Sequence, residues 1–152
     1  MLVVKFSVDD KRYGIGADDV SAVLPLAPLR RLDLVPAWVA GLLSIKDRMV
    51  PVIDLCALHH GRPCRRAYST RIILVRYPGE GDREYALGLI AEDVTGVADL
   101  DQDRVQPAGI AQPEAPWLAG LGTDDAGGVI QLVTVSALLP EDVRARLFKD
   151  QA

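Results

Sequence analysis

The chain has 152 residues, 49% of them apolar and 25% charged, with a net charge of −4 and a pI near 5.1. That is the length of one ordinary domain, or of two tightly fused halves, and the balance of a globular chain. It excludes a disordered chain, the basic excess a nucleic-acid binder needs to neutralise phosphates, and, with two cysteines, a disulfide scaffold.

The opening segment, MLVVKFSVDD, has no basic leader, and Lys5 and Asp9 interrupt its apolar run, so it does not read as a signal peptide. Residues 2–8 form a strand, Asp9-Asp10 a turn, and residues 12–16 a return strand. Asp18-Asp19 opens a turn before VSAVLPL, where Pro25 and Pro28 limit any strand to an edge or an end. Pro36 to Val39 reads as a single helical turn with proline at its first position. The strand GLLSI, a charged break at Lys46-Asp47-Arg48 and the strand MVPVI follow. Asp54 then caps a short helix, LCALHH, that Gly61 and Pro63 stop.

The second half opens with TRIILVRY (70–77), the clearest strand. Residues 83–100 read as two strands around Ala91-Glu92-Asp93, and 101–116, with three prolines, as an irregular connection. Another strand region starts at Trp117, and VIQLVTV is a further strand. Residues 139–149 form a terminal helix with Leu139, Val143 and Leu147 on one face, an acidic first turn and a basic last turn. The longest charge-free run, residues 126–140, contains Gly, Gln and Pro and falls short of the roughly 20 residues a membrane span needs. The expectation is a cytoplasmic chain with no direct membrane insertion.

An internal repeat emerges from this pass. PAWVAGLL (36–43) matches APWLAGLG (115–122), so that Trp38 and Trp117 lie 79 positions apart. MVPVIDLCAL (49–58) matches VIQLVTVSAL (129–138), and YGIGADDVSAV (13–23) matches YALGLIAEDVTGV (85–97) with two residues inserted. A duplicated unit of many short strands points to a mainly β fold of two small barrels packed as a single domain. The repeat runs over about 1–60 and 70–140, followed by the terminal helix.

Catalytic patterns are missing. The two histidines, His59 and His60, are adjacent, with no strand–Ser–helix elbow to partner them. Gly14-Ile15-Gly16 does not extend to a dinucleotide motif. Asp99 to Asp103 starts like a calcium loop, but Arg104 and Ile110 occupy the positions that need Gly and Glu. Cys56, His59, His60 and Cys64 fall within nine residues and have zinc-ligand chemistry; the competing reading is an inward-packed cysteine and histidines at a helix end. With no second paired motif, the expectation is no cofactor and no metal.

Residues 41–55, GLLSIKDRMVPVIDL, form an exposed hairpin on a barrel rim, with Lys46-Asp47 at its tip and Pro51 in the returning strand. Here the sequence resembles the CheW-like domain of bacterial chemosensory coupling proteins. The family pattern Gly-Val-x-Asn-Leu-Arg-Gly, then Pro-Val-x-Asp-Leu, is met by Gly41, Leu42, Ser44, Ile45, Lys46 and Asp47, then Pro51, Val52, Asp54 and Leu55. Tyr13, Val20, Val23, Gly88, Val94, Val97, Leu121 and Gly122 extend the match over nearly the whole chain. The Val-Leu-Pro-Leu and Pro-Val-Ile-Asp-Leu-Cys segments resemble the Wsp-type surface-sensing branch.

The resemblance implies two five-stranded SH3-like barrels around a shared core and no enzyme activity. It implies a scaffold bridging the cytoplasmic tip of a chemoreceptor and the regulatory domain of a CheA-type histidine kinase, recruited to membrane-associated receptor arrays. Carried over, the receptor-binding residues are Val20, Ala22, Gly41, Ser44, Lys46, Asp47, Gly88 and Val94, with Lys46 meeting an acidic receptor residue and the glycines admitting close backbone approach. Five positions depart from the pattern: Ser44-Ile45-Lys46-Asp47 replaces Asn-Leu-Arg-Gly, so that Lys46 lacks the arginine fork, and Ala22 stands where an acidic residue is common. A monomer or weak homodimer is expected. Two other readings remain open at this level: a metal-binding or redox module, and a generic SH3-like interaction module.

Overall fold

The computed structural model of the chain describes residues 1–107 and 115–151. β1 (Leu2–Val8) and β2 (Lys11–Gly16) form an antiparallel hairpin, and β3 (Val20–Pro25) follows after a short 3₁₀ turn. β4 (Val39–Ile45) and β5 (Arg48–Asp54) form a second hairpin, leading into α1 (Leu55–His60). β6 (Arg71–Pro78), β7 (Glu84–Asp99), β8 (Leu118–Thr123), β9 (Val129–Val133) and α2 (Glu141–Leu147) complete the chain.

Both hairpins turn on two residues that sit in the left-handed region: Asp9 and Asp10 at φ 52° and 63°, Lys46 and Asp47 at φ 46° and 64°. This is the turn whose twist matches that of the flanking strands, and Asp tolerates it better than most residues. α1 begins where the Asp54 side chain accepts the Ala57 amide (3.0 Å) and ends where Gly61 takes φ 80°.

The strands build two five-stranded SH3-like barrels. One contains β1, β2, the second half of β7, β9 and β8; the other contains β3, β6, the first half of β7, β5 and β4. Each barrel therefore takes a hairpin from one copy of the repeat and three strands from the other. Closure is by one backbone bridge in each: Arg30 with Leu42 (2.9 and 2.8 Å), and Gln106 with Leu121 (2.9 and 2.7 Å). The repeat is also visible at the tryptophans, whose carbonyls accept from Asp54 N and from Thr134 N, both at 2.8 Å.

Burial on both faces explains the apolar runs. In β6, Ile73, Val75 and Tyr77 enter the core shared by the two barrels, while Ile72 faces the interior of its own barrel with Leu43 and Val52. In β1, Val4, Phe6 and Val8 join the shared core and Val3 packs with Leu100, Ile130 and Leu132. A strand covered on both sides loses polar alternation and reads as a continuous apolar run. α2 closes one side of the shared core through Val143 and Leu147, and Phe148 stacks on Tyr85 at 4.7 Å.

Three expectations need correction. Residues 83–100 are not two strands: β7 runs unbroken for 16 residues, with Asp93 at φ 51° bending it where a break was expected. Pro36 to Val39 is a turn closed by Val39 N to Pro36 O (2.9 Å), not a helical turn. The terminal helix starts at Glu141, because Pro140 stays extended (ψ 150°), and a 3₁₀ turn (Lys149–Gln151) replaces its expected end. Part of the expected irregular connection, residues 108–114, lies outside the described residues. Pro51 sits where β5 pairs only with β4; pairing with β7 begins at Val52, so the missing N–H breaks no ladder there.

Gly41 and Gly120 occupy matching places beside the two closures. A Cβ on Gly41 (φ 147°) would lie 2.5 Å from the Arg30 carbonyl oxygen, and one on Gly120 would lie 2.8 Å from that of Gln106. Gly41→Ala should destabilise by about 3 kcal/mol, since backbone strain and a clash with main chain combine. Gly61→Ala, in open space at φ 80°, should lose only about 1 kcal/mol. Urea unfolding of both variants checks the ordering; equal losses would rule out a role for Gly41 in closing the barrel.

Candidate functional site

The β4–β5 hairpin leaves its tip in solvent. Ser44, Lys46, Asp47, Arg48 and Met49 are all exposed. Ser44 and Met49 are cross-strand partners and share a face, and Met49 is 38% exposed. Lys46 makes no ion pair among the described residues. Arg48 instead reaches the Gln151 side-chain oxygen (3.4 Å), and that glutamine amide also bonds Ala86 N (2.8 Å) and Ala86 O (3.0 Å) on β7. Where β5 and β7 diverge, the glutamine thus satisfies a free strand edge.

The expected receptor-binding residues fall into two groups. Ser44, Lys46 and Asp47 lie together on the rim. Val20 and Ala22 are half-buried on β3 of the same barrel, separated by a bulge at Ser21, whose hydroxyl donates to Leu74 O (3.3 Å). Gly41, Gly88 and Val94 are buried. A Cβ on Gly88 would meet Val52 and Ile72 at 2.9 and 3.1 Å, so this glycine faces the barrel interior. Val94 belongs to the shared core. These three shape the scaffold from inside and present no side chain to a partner. Met49 and the outward-facing Val23 are exposed apolar residues on these strands that were not among the expected receptor-binding set, although Val23 belonged to the family match; their outward places follow from strand alternation once the register is known.

Two clefts flank this frame. One, of about 510 Å³, follows the seam between the barrels and is lined by Asp18, Asp19, Arg76, Glu84, Leu132 and Ser136 among others. Burial raises the Asp19 pKa, Asp18 adds to the rise and Arg76 opposes it. The second, of about 810 Å³, lies under the 26–40 segment and is lined by Leu26, Leu29, Ala40, Asp54, Cys64 and Ile90 among others. None of the eight expected residues lines either cleft.

The loop after α1 is pinned by two buried carboxylates. Both Asp54 oxygens accept the Cys64 amide (3.2 and 3.1 Å), in addition to the Ala57 amide. Glu92 accepts Arg65 N (2.6 Å) and Arg65 Nε (3.2 Å), and the Thr70 hydroxyl donates to Arg65 O (2.6 Å). The Asp54 bonds bring Cys64 against Cys56, both free thiols. The hydrogen bond with Cys56, burial and the charge of Asp54, in that order, push the Cys64 thiol strongly upward. The histidines do not join this group among the described residues. His59 Nε2 lies 3.4 Å from the Tyr13 hydroxyl and its ring meets Trp117 edge-on at 5.5 Å, while His60 Nδ1 is buried with no partner among the described residues.

The chain matches the CheW-like domain family over residues 2–143, and it belongs to that family. A chemotaxis protein CheW from Treponema pallidum (strain Nichols) is 23% identical over 153 residues, covering 98% of this chain and 82% of that protein. The crystal structure of the scaffolding protein TtCheW from Thermoanaerobacter tengcongensis superposes with a TM-score of 0.79 at 23% identity, over 91% of this chain and 87% of that one. That neighbour is described as a scaffolding protein, and this chain shares its fold. No helix among the described residues is long and apolar enough to cross a membrane.

His59 offers a pH test of the shared core. Burial, then His60 and Lys11, lower its pKa below the ordinary 6.5, against a small opposite effect of Asp9. The unfolded chain then takes up a proton before the folded one, so stability present above about pH 6.5 falls as pH drops through the folded pKa. His59→Gln should lose less stability than wild type between neutral pH and about pH 5.5. Parallel urea midpoints for the two proteins across that range would refute the assignment.

Proposed function

We propose that this chain is an adaptor that couples the cytoplasmic tip of a chemoreceptor to the regulatory domain of a CheA-type kinase. The observation that carries this reading is the β4–β5 hairpin. It carries residues that the family resemblance implies for receptor contact, and it exposes a cation with no ion pair among the described residues on the hairpin that also exposes the apolar Met49. A helical hairpin with an apolar stripe and an acidic residue complements that surface. Val20 and Ala22 extend the contact on β3, and Gly41, Gly88 and Val94 fix its frame from beneath.

The kinase partner calls for a different face. The first barrel carries Leu2 and Val97 on adjoining strands, 50% and 55% exposed, and such apolar residues suit barrel-to-barrel pairing. The two contacts then lie on different barrels, as a bridge requires. Recruitment to membrane-associated arrays follows from the receptor contact.

Pull-downs with a receptor cytoplasmic hairpin and with the kinase regulatory domain from the same genome test the pair of sites. Lys46→Glu should weaken receptor capture about tenfold or more, equivalent to about 1.4 kcal/mol, and leave kinase capture unchanged. Val97→Glu should do the reverse. If both variants lose both partners, or neither loses any, the two-face bridge is wrong. Capture of unrelated extended peptides in place of both baits would instead mark a general SH3-like module.

A further inference from the structure

Asp54, Cys56 and Cys64 are each buried, and one carboxylate oxygen and the two sulfurs lie within 4.8 Å of one another. Three features distinguish this group from incidental packing. First, the donors are two soft sulfurs and one hard oxygen, a set that suits a d10 cation such as Zn²⁺. Second, the carboxylate is already oriented: three backbone N–H bonds from Ala57 and Cys64 hold it, and the Cys64 bonds also set the loop that delivers the second sulfur. Third, the cleft of about 810 Å³ is lined by Asp54 and Cys64, giving an entry path and room for a water as fourth ligand.

We infer that Asp54, Cys56 and Cys64 form a zinc-type metal site with three protein ligands and a fourth position open to the cleft. On binding, each thiol gives its proton to solvent and each sulfur forms a bond to the metal, so one Zn²⁺ entering releases two protons and the ion's two positive charges are met by two thiolates and a carboxylate. Coordination requires closing the sulfurs to about 2.3 Å from the ion, a movement of the two cysteine side chains while Asp54 stays fixed. The ligand set differs from the cysteine–histidine cluster read in the sequence. Cys56 and Cys64 remain, Asp54 replaces the histidines, and the site needs no partner protein to complete it.

The test uses the full chain, reduced and stripped with a chelator, then incubated with Zn²⁺ and desalted. About one zinc ion per chain should remain, and the unfolding temperature should rise with free Zn²⁺. Cys56→Ala and Cys64→Ala, verified as folded by cooperative unfolding, should retain little zinc and lose that rise. His59→Gln and His60→Gln should keep both. Wild type alone provides a second readout if a cysteine variant fails to fold: Cd²⁺ should produce thiolate-to-metal absorption in the ultraviolet, with about two protons released per ion. Absence of retained zinc in wild type, retention in both cysteine variants, or loss on His60→Gln would overturn the site.

Discussion

The fold depends on one strand serving two barrels. β7 pairs with β6 along its first half and with β1 along its second, and the bend between them falls at Glu92 and Asp93. A bent strand in the left-handed region is strained for any residue with a side chain, so the surroundings must hold it. They do so from the loop before β6. Glu92, 6% exposed, accepts two bonds from Arg65; Ser69 accepts the Val94 amide on its carbonyl (2.8 Å) and donates its hydroxyl to Asp93 (3.4 Å). Charge-assisted bonds to a buried carboxylate are among the stronger polar contacts, and removing one partner would leave the carboxylate stranded.

That clamp ties the bend to the hairpin. The loop that grips Glu92 is held three residues from Gly61 by Asp54, the last residue of β5. β5 in turn pairs in parallel with the first half of β7. The exposed tip at Lys46 therefore extends from an element fixed at its base by a ladder, a helix cap and a buried carboxylate. Under the coupling reading, a contact surface so held loses little conformational entropy on binding, which is what a scaffold requires and what a mobile loop could not supply.

Much of this was legible in the sequence where chemistry is local. The turn at Asp9-Asp10, the tip at Lys46-Asp47 and the cap at Asp54 were read from residue types whose backbone preferences are strong. Two barrels were legible as well, from the repeated pattern of short strands. What the repeat could not reveal is which hairpin joins which three strands, because exchanging them between copies leaves every local pattern unchanged. The continuity of β7 was hidden because Ala91-Glu92-Asp93 has turn chemistry; Ala91 pairs with Arg71 and Glu92 with Ser7, and the Arg65 and Ser69 contacts hold the bend between them. Gly88 and Val94 matched the family pattern as residues, but a motif does not say which face of a strand they occupy. The cysteines were noticed together, while Asp54 was assigned its cap alone; its second role depends on a loop return that no spacing encodes.

The rim's charges also bear on which partner it fits. A glycine at the second tip position would adopt φ 64° freely, whereas Asp47 holds it at some backbone strain. The substitution sets a negative charge directly after Lys46, so an approaching surface meets a cation and an anion on consecutive residues. A lone acidic group on the partner gains from Lys46 but is opposed by Asp47 at nearly the same distance, and at an exposed site both effects are modest. A partner with an acidic and a basic residue in matching register satisfies both. Under the coupling reading, the tip accepts a receptor with an acidic group for Lys46 but favours one that adds a basic group for Asp47, a preference that a glycine tip would not supply. Arg48 does not relieve this, because its guanidinium is turned toward Gln151 and the β7 edge. On that reading, the same two residues that form the hairpin turn carry its selectivity.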